Sequence, residues 1–266
     1  MSKIFKESKK MSKSIRMEYS YPRELEIAKK EKWPVLIPIG TVEYHSTICP
    51  YGCDALIAKG MIDKVAEKID CVVMPTVWYG VASYAVAGPE KNSIHVDCDT
   101  FEQYIYCILK SLLYGGFNRN IYLIIAHQTE DMNPMELACK KAARKLIFEY
   151  LDNTKGYGWW GKNENKEFYS NMSLEDNPWN WIQVFANRGL VPNTIEKWKV
   201  KNDHAGKSEC SSMEYLYPGS IKLDRLKDTD DWFVQNAVEM DVEMGRDRIN
   251  EFADNFIKLV NKQRGL

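Results

Sequence analysis

Three short runs of almost wholly apolar residues constrain this chain most: PVLIPI at 34–39, CVVMP at 71–75 and IYLIIA at 121–126. A strand with no polar face must be covered on both sides, and buried strands that alternate with helices build βαβ units around a largely parallel sheet. Helical spacing does follow each run. Residues 55–69 carry apolar side chains at helical intervals with Asp54 placed to cap them, and Thr100 stands before the helix FEQYIYCILKSLLY, which stops at Gly115-Gly116. A helix at 134–151 completes the unit. WIQVFA at 181–186 reads as a fourth strand and 206–217 as a short helix. A long amphipathic helix is expected over 229–262, with Phe233, Ala237, Met240, Met244, Ile249, Phe252, Phe256 and Val260 on or near one face. The expected fold class is α/β: three layers, with a mostly parallel sheet flanked by helices.

At 266 residues the chain suits one domain. The basic stretch 1–20 reads as a tail and 21–266 as a single domain. Its Gly-, Asn- and Trp-rich segment at about 153–182 is an insertion long enough to need a purpose, either a lid or a subunit contact. A formal charge of −1 leaves no basic excess to recruit nucleic acid. The polar, basic start does not read as a signal peptide, and no apolar stretch is long enough for a membrane span. Seven scattered cysteines, an odd number, suit a reducing, cytoplasmic setting better than a disulfide framework. Cys49 and Cys53 are close enough to share a metal, but no second cysteine pair completes a tetrahedral sulfur site.

Of the four histidines, three stand at strand ends or in Gly-bearing loops beside carboxylates. Glu43 and His45 follow the first buried strand two residues apart, so in an extended segment both face the same side. Asp54 comes at a helix start. His127 ends IYLIIA, at the carboxyl edge of the sheet where open α/β folds put their sites. Imidazole with carboxylate suits Zn²⁺, Mn²⁺ or related ions, and Asp54 is the natural bridge between two of them. Any one of these histidines alone would read as a structural histidine; together they read as a metal centre.

The run PIGTVEYHSTICPYGCDALIA resembles the creatininase (creatinine amidohydrolase) family signature, a Pro-x-Gly-x-x-Glu-x-His segment followed by an Asp at the head of a helix. GFNRNIYLIIAHQTE resembles the family's strand ending in a metal-binding His, DHAGKSECSSMEYLYP its His-x-Gly-x-x-Glu block, and MPTVWYG its Pro-x-x-x-Tyr-Gly stretch. The resemblance runs from Trp33 to Pro218 and implies a creatininase-like metal hydrolase. It implies one ion on Glu43, Asp54 and His127 and a second on His45, Asp54 and a further glutamate, either Glu209 or Glu130, with Glu209 the better match. His204 aligns with a proton-transfer residue, and His204 and Glu209 are the expected catalytic pair. Tyr79, Gln128, Thr129, Glu130 and Trp198 are the candidates for substrate contact. The resemblance also implies a homo-oligomer, often a hexamer.

Two segments depart from the family pattern: IAHQTED in place of a Gly-rich run after the histidine, and AGPEKNSI at 87–94, which puts Glu90 and Lys91 where the family has Gly-Thr. Both are expected to line the pocket and argue against creatinine as substrate. The leading expectation is hydrolysis of a small, polar, cyclic substrate by metal-activated water. It leans toward C–C opening of a cyclic diketo-polyol of the 3-dehydro-scyllo-inosose type, as in inositol catabolism. The alternative is amidohydrolase action on a cyclic C–N bond; a reading of another class is a non-catalytic binding subunit stabilised by metal.

Overall fold

The computed structural model describes residues 13–128, 133–200 and 203–266. Five strands, β1 (Ile15–Arg16), β2 (Val35–Ile39), β3 (Val72–Val73), β4 (Ile121–Ile125) and β5 (Ile182–Ala186), form one sheet in the order β1-β3-β2-β4-β5, with every pair parallel. Between the strands stand α1 (Pro22–Lys30), α2 (Cys53–Ala66), α3 (Cys98–Tyr114), α4 (Pro134–Lys155) and α5 (Lys166–Ser170), and after β5 come α6 (Pro192–Trp198), α7 (Lys207–Leu216) and α8 (Val242–Arg264). Among the described residues no helix is long and apolar enough to cross a membrane.

Every residue of β2 and β4 is buried. Alternate side chains enter different cores, which is why these runs carry no polar face. Val35, Ile37, Ile39, Ile121, Leu123 and Ile125 pack with residues of α3 and α4. Leu36, Tyr122 and Ile124 pack with α2, α7 and α8. Burying each large aliphatic side chain stabilises the fold by about 1.5–3 kcal/mol, so the two central strands anchor all three layers. At the contact of α7 with α8 a Cβ on Gly245 would lie 2.0 Å from the Ser211 carbonyl oxygen, so these helices meet backbone to backbone.

Several boundaries differ from the sequence expectation. β1 lies within the span read as tail and pairs with β3. Helix α2 starts at Cys53 with Gly52 as its cap, so Asp54 is inside the first turn and its carboxylate is not spent on capping. For α3 the cap is Asp97, whose Oδ1 accepts from Thr100 N at 2.9 Å. The expected helix over 229–262 is broken: 232–239 is a 3-10 turn, and Asp241 caps a new start at Val242 by accepting from Glu243 N. The 153–182 segment contains the end of α4, α5 and two 3-10 turns. Its Glu175 takes bonds from Lys32 and Asn120, and Asp176 pairs with Arg119. Those partners precede β2 and β4, so this part of the segment is fastened at the end of the sheet opposite the carboxyl edge, against its expected use as a lid.

Candidate metal centre

The strand order creates the site. From β2 the chain crosses through α2 to β3 on one side, then through α3 to β4 on the other, so the loops leaving β2 and β4 diverge and open a crevice at the carboxyl edge. Glu43 and His45 leave β2 in an irregular loop held by Glu43 N to Tyr51 O (3.0 Å), by Tyr44 N to Ser93 Oγ (3.0 Å) and by a Val42–Ile94 bridge. Gly40 lets the start of α2 close on this loop, because a Cβ there would lie 2.3 Å from Ala55 N and 2.6 Å from the Asp54 carbonyl carbon. His127 follows β4. His204 lies in the loop before α7 and Glu209 in its first turn, where Glu209 Oε2 accepts from Ala205 N at 2.7 Å.

These side chains converge, and all but His204 and Glu209 are buried outright. The two oxygens of Asp54 face different imidazoles: Oδ2 lies 3.0 Å from His127 Nδ1, and Oδ1 lies 3.5 Å from His45 Nε2. Glu43 Oε1 is 3.3 Å from His127 Nδ1 and 3.5 Å from His204 Nδ1, and Glu209 Oε2 is 3.6 Å from His45 Nε2. The Nδ1 of His45 is engaged with the Glu43 carbonyl at 3.0 Å, which fixes its ring and turns Nε2 on the carboxylates. That buried Nε2 has no hydrogen-bond partner. Donor atoms group as Glu43, Asp54 and His127, as Glu43, His45 and His204, and as His45, Cys53 and Glu209. An unpartnered buried imidazole nitrogen among oxygen donors fits a divalent cation.

The electrostatics of the ion-free cluster agree. Burial would depress both imidazoles, yet Asp54 with Glu209 holds His45 well above its ordinary value, and Asp54 with Glu43 pushes His127 up to about 10. Burial would raise Asp54, but His45 and His127 hold it below the usual carboxylate range. Glu209 is pushed up by burial to about 7, and Asp203, by burial and by Glu209, to about 6. Excess carboxylate thus collects protons where a cation would meet the same demand. His204 goes the other way: burial and the neighbouring His45 lower it. Its Nε2 donates to the Tyr44 carbonyl at 2.7 Å, and its ring stacks on His45 at 4.2 Å.

A cavity of about 620 Å³ lies against Glu43, Asp54, His127, His204 and Glu209, a size suited to a small molecule. Of the expected substrate contacts, Gln128 lines it. Tyr79 is 57% exposed and off the lining, and Trp198 donates to Asp247 Oδ2 at 3.0 Å elsewhere. Thr129 and Glu130 lie outside the described residues. The 87–94 segment does not line the cavity as expected. Glu90 turns back to accept from Gly88 N, and Lys91 packs over the Tyr44 ring, so Ala85 and Val86 form that wall instead. Sequence reading missed Asn187, Arg188, Asp203, Trp232 and Arg248, all on the wall. Of these, only Asp203 carried a signal, its place beside His204. Asn187 is buried, with its Oδ1 unpartnered.

Comparison with known proteins gives a family and a shared fold. The family model named Creatininase, described as creatinine amidohydrolase, matches residues 18–255. A 3-dehydro-scyllo-inosose hydrolase from Thermotoga maritima is 28% identical over 103 residues, 39% of this chain and 32% of the relative. A creatinine amidohydrolase from Pseudomonas putida is 25% identical over 199 residues, 73% of this chain and 68% of the relative. The chain therefore spans about a third of one relative's length and two thirds of the other's. The crystal structure of creatinine amidohydrolase (creatininase) has the same fold, with a TM-score of 0.72 at 17% identity over 94% of this chain and 98% of that one. A manganese form of creatininase and a Zn–Zn form of a creatininase mutant each give a TM-score of 0.70.

Proposed function

The chain belongs to the creatininase family of metal-dependent hydrolases, and from that premise we propose that it holds two divalent cations and hydrolyses a small, polar, cyclic substrate. The carrying observation is Asp54, whose two carboxylate oxygens face His127 and His45 separately. In this reading Glu43, Asp54 and His127 hold one ion, and His45, Asp54 and Glu209 hold the other. Zn²⁺ or Mn²⁺ suits both the donors and the forms in which creatininase has been solved. Cations bound there lower the pKa of water and polarise a carbonyl. His204 is the proton carrier: with Nε2 donating to Tyr44 and the ring kept neutral, its Nδ1 takes a proton from the attacking water and returns it to the leaving atom.

For the substrate we favour a hydroxyl-rich diketo ring over a cyclic amide. Support comes from the wall of Gln128, Asn187, Arg188, Asp203, Gln235, Asn236 and Arg248, which offers acceptors and donors in number, and from the relative named as an inosose hydrolase. The amide reading draws on Trp232 and Phe233, an aromatic wall for a flat ring, and on the relative named as a creatinine amidohydrolase. The test is turnover of 3-dehydro-scyllo-inosose and of creatinine by ion-loaded protein in D₂O, followed by NMR. C–C opening leaves a carboxylate and a carbon-bound deuterium; C–N opening leaves a carboxylate and a free nitrogen. Ion-loaded protein that opens neither class of ring favours the binding subunit.

A cytoplasmic homo-oligomer completes the proposal. All seven cysteines are unpaired, in keeping with a reducing compartment. Tyr157 and Trp160, both strongly exposed on the 153–182 segment, supply an apolar contact surface for a second copy.

A further inference from the structure

One donor in the cluster is neither carboxylate nor imidazole. Cys53, the first residue of α2, is fully buried, and its Sγ lies within 4.8 Å of donor atoms of both His45 and Glu209. The unpartnered His45 Nε2 lies 3.5 Å from Asp54 Oδ1 and 3.6 Å from Glu209 Oε2. One nitrogen, one oxygen and one sulfur thus converge, and Asp54 Oδ1, 3.5 Å from the same nitrogen, would complete the four donors of a closed tetrahedral zinc site. The other donor group, Glu43, Asp54 and His127, has three members, and all of them line the cavity. His45 and Cys53 do not line it.

We propose that Cys53 coordinates the cation held by His45, Asp54 and Glu209, making it a closed inner zinc site, while the ion on Glu43, Asp54 and His127 keeps a position open to the cavity. The inference rests on the two-ion reading above. As the sulfur–cation bond forms, the thiol proton leaves to solvent. Thiolate sulfur selects zinc, whereas carboxylate donors also accept manganese, so the two positions differ in preference: zinc inside, zinc or manganese outside. The neighbouring Cys210 is otherwise engaged, its Sγ donating to the Ala205 carbonyl at 3.2 Å.

Titration of ion-free protein with Co²⁺ alone, read by near-ultraviolet absorption, tests this. The wild type should bind two Co²⁺ and show a thiolate-to-cobalt charge-transfer band. Cys53→Ser, which nearly preserves side-chain volume, and Cys53→Ala should both lose the band. Outer-shell partners cost about 10–100-fold in metal affinity, so loss of a direct donor should weaken one of the two ions by more than about 100-fold. Cys49→Ser, a change at a neighbouring thiol, should keep both the band and the affinity, and circular dichroism of each variant verifies its fold. Two bound Co²⁺ without the band in the wild type, or a band that survives in Cys53→Ser, overturns coordination by Cys53 while leaving two ions in place. No bound Co²⁺ in the wild type overturns the two-ion reading itself.

Discussion

Asp54 and His204 are distinguishable by what their removal takes away. Asp54 offers one oxygen to each imidazole, so Asp54→Ala should leave neither cation held, and mass spectrometry of the metal content should find about two ions per chain in the wild type and none in the variant. Two tightly bound ions in Asp54→Ala would refute its bridging role. His204→Ala should keep both ions and lower kcat by about 10²–10⁴-fold, the usual worth of a positioned proton carrier. Single positions were legible to different depths. Glu43, His45 and His127 stood out because each follows a strand whose apolar run fixes where it ends. Asn187 and Arg248 did not: one follows β5 in a turn, and the other sits on α8, whose apolar pattern says nothing of a charged side chain turned inward to Ser208 and Ser212.

Between elements, the tightest constraint at the site is the approach of α2 to the loop after β2. A methyl group at Gly40 would meet backbone atoms of Ala55 and Asp54, and backbone cannot rotate aside as a side chain does. Gly40→Ala should therefore push α2 outward, cost more than the roughly 1–3 kcal/mol of ordinary overpacking, and weaken binding of both ions. Chemical denaturation and metal titration read these separately; stability and affinity equal to wild type would show that the two elements have slack. The apolar runs predicted β2 and β4 closely, because burial on both faces leaves a strong pattern; β5 was also found, although only Ile182 in it is fully buried. Helix starts were less legible. A cap is set by local hydrogen bonding, and in α3 and α8 a nearby aspartate took the role in place of the expected start. The 153–182 segment was visible only as an anomaly, since its anchors at Lys32, Arg119 and Asn120 are distant in sequence.

For the molecule as a whole, the ion-free cluster couples stability to pH, and bound cations are expected to remove that coupling. His127 is raised in the folded chain from 6.5 to about 10, so the stability it contributes is complete below about pH 6.5 and is lost as pH climbs toward 10. Glu209, raised from 4.5 to about 7, and Asp203, raised from 3.8 to about 6, act with the same sign at lower pH. His204, being lowered, acts with the opposite sign, and its effect is over by about pH 6.5. The Tm of chelated protein should therefore fall between pH 6.5 and 9, by about 2–4 °C for each kcal/mol lost. Protein loaded with Zn²⁺ should hold its Tm over that range, since the cation takes the place of those protons. A chelated protein whose Tm rises over this range would contradict the charge balance described. The order of the strands bears on time as well as on space. Donors at 43, 54, 127 and 209 meet only once β2 and β4 have paired and α7 has docked against α2 and α8. A chain emerging from the ribosome therefore has no complete binding site until most of its length is out. Full loading of the proposed centre would therefore come late in maturation and report a finished fold.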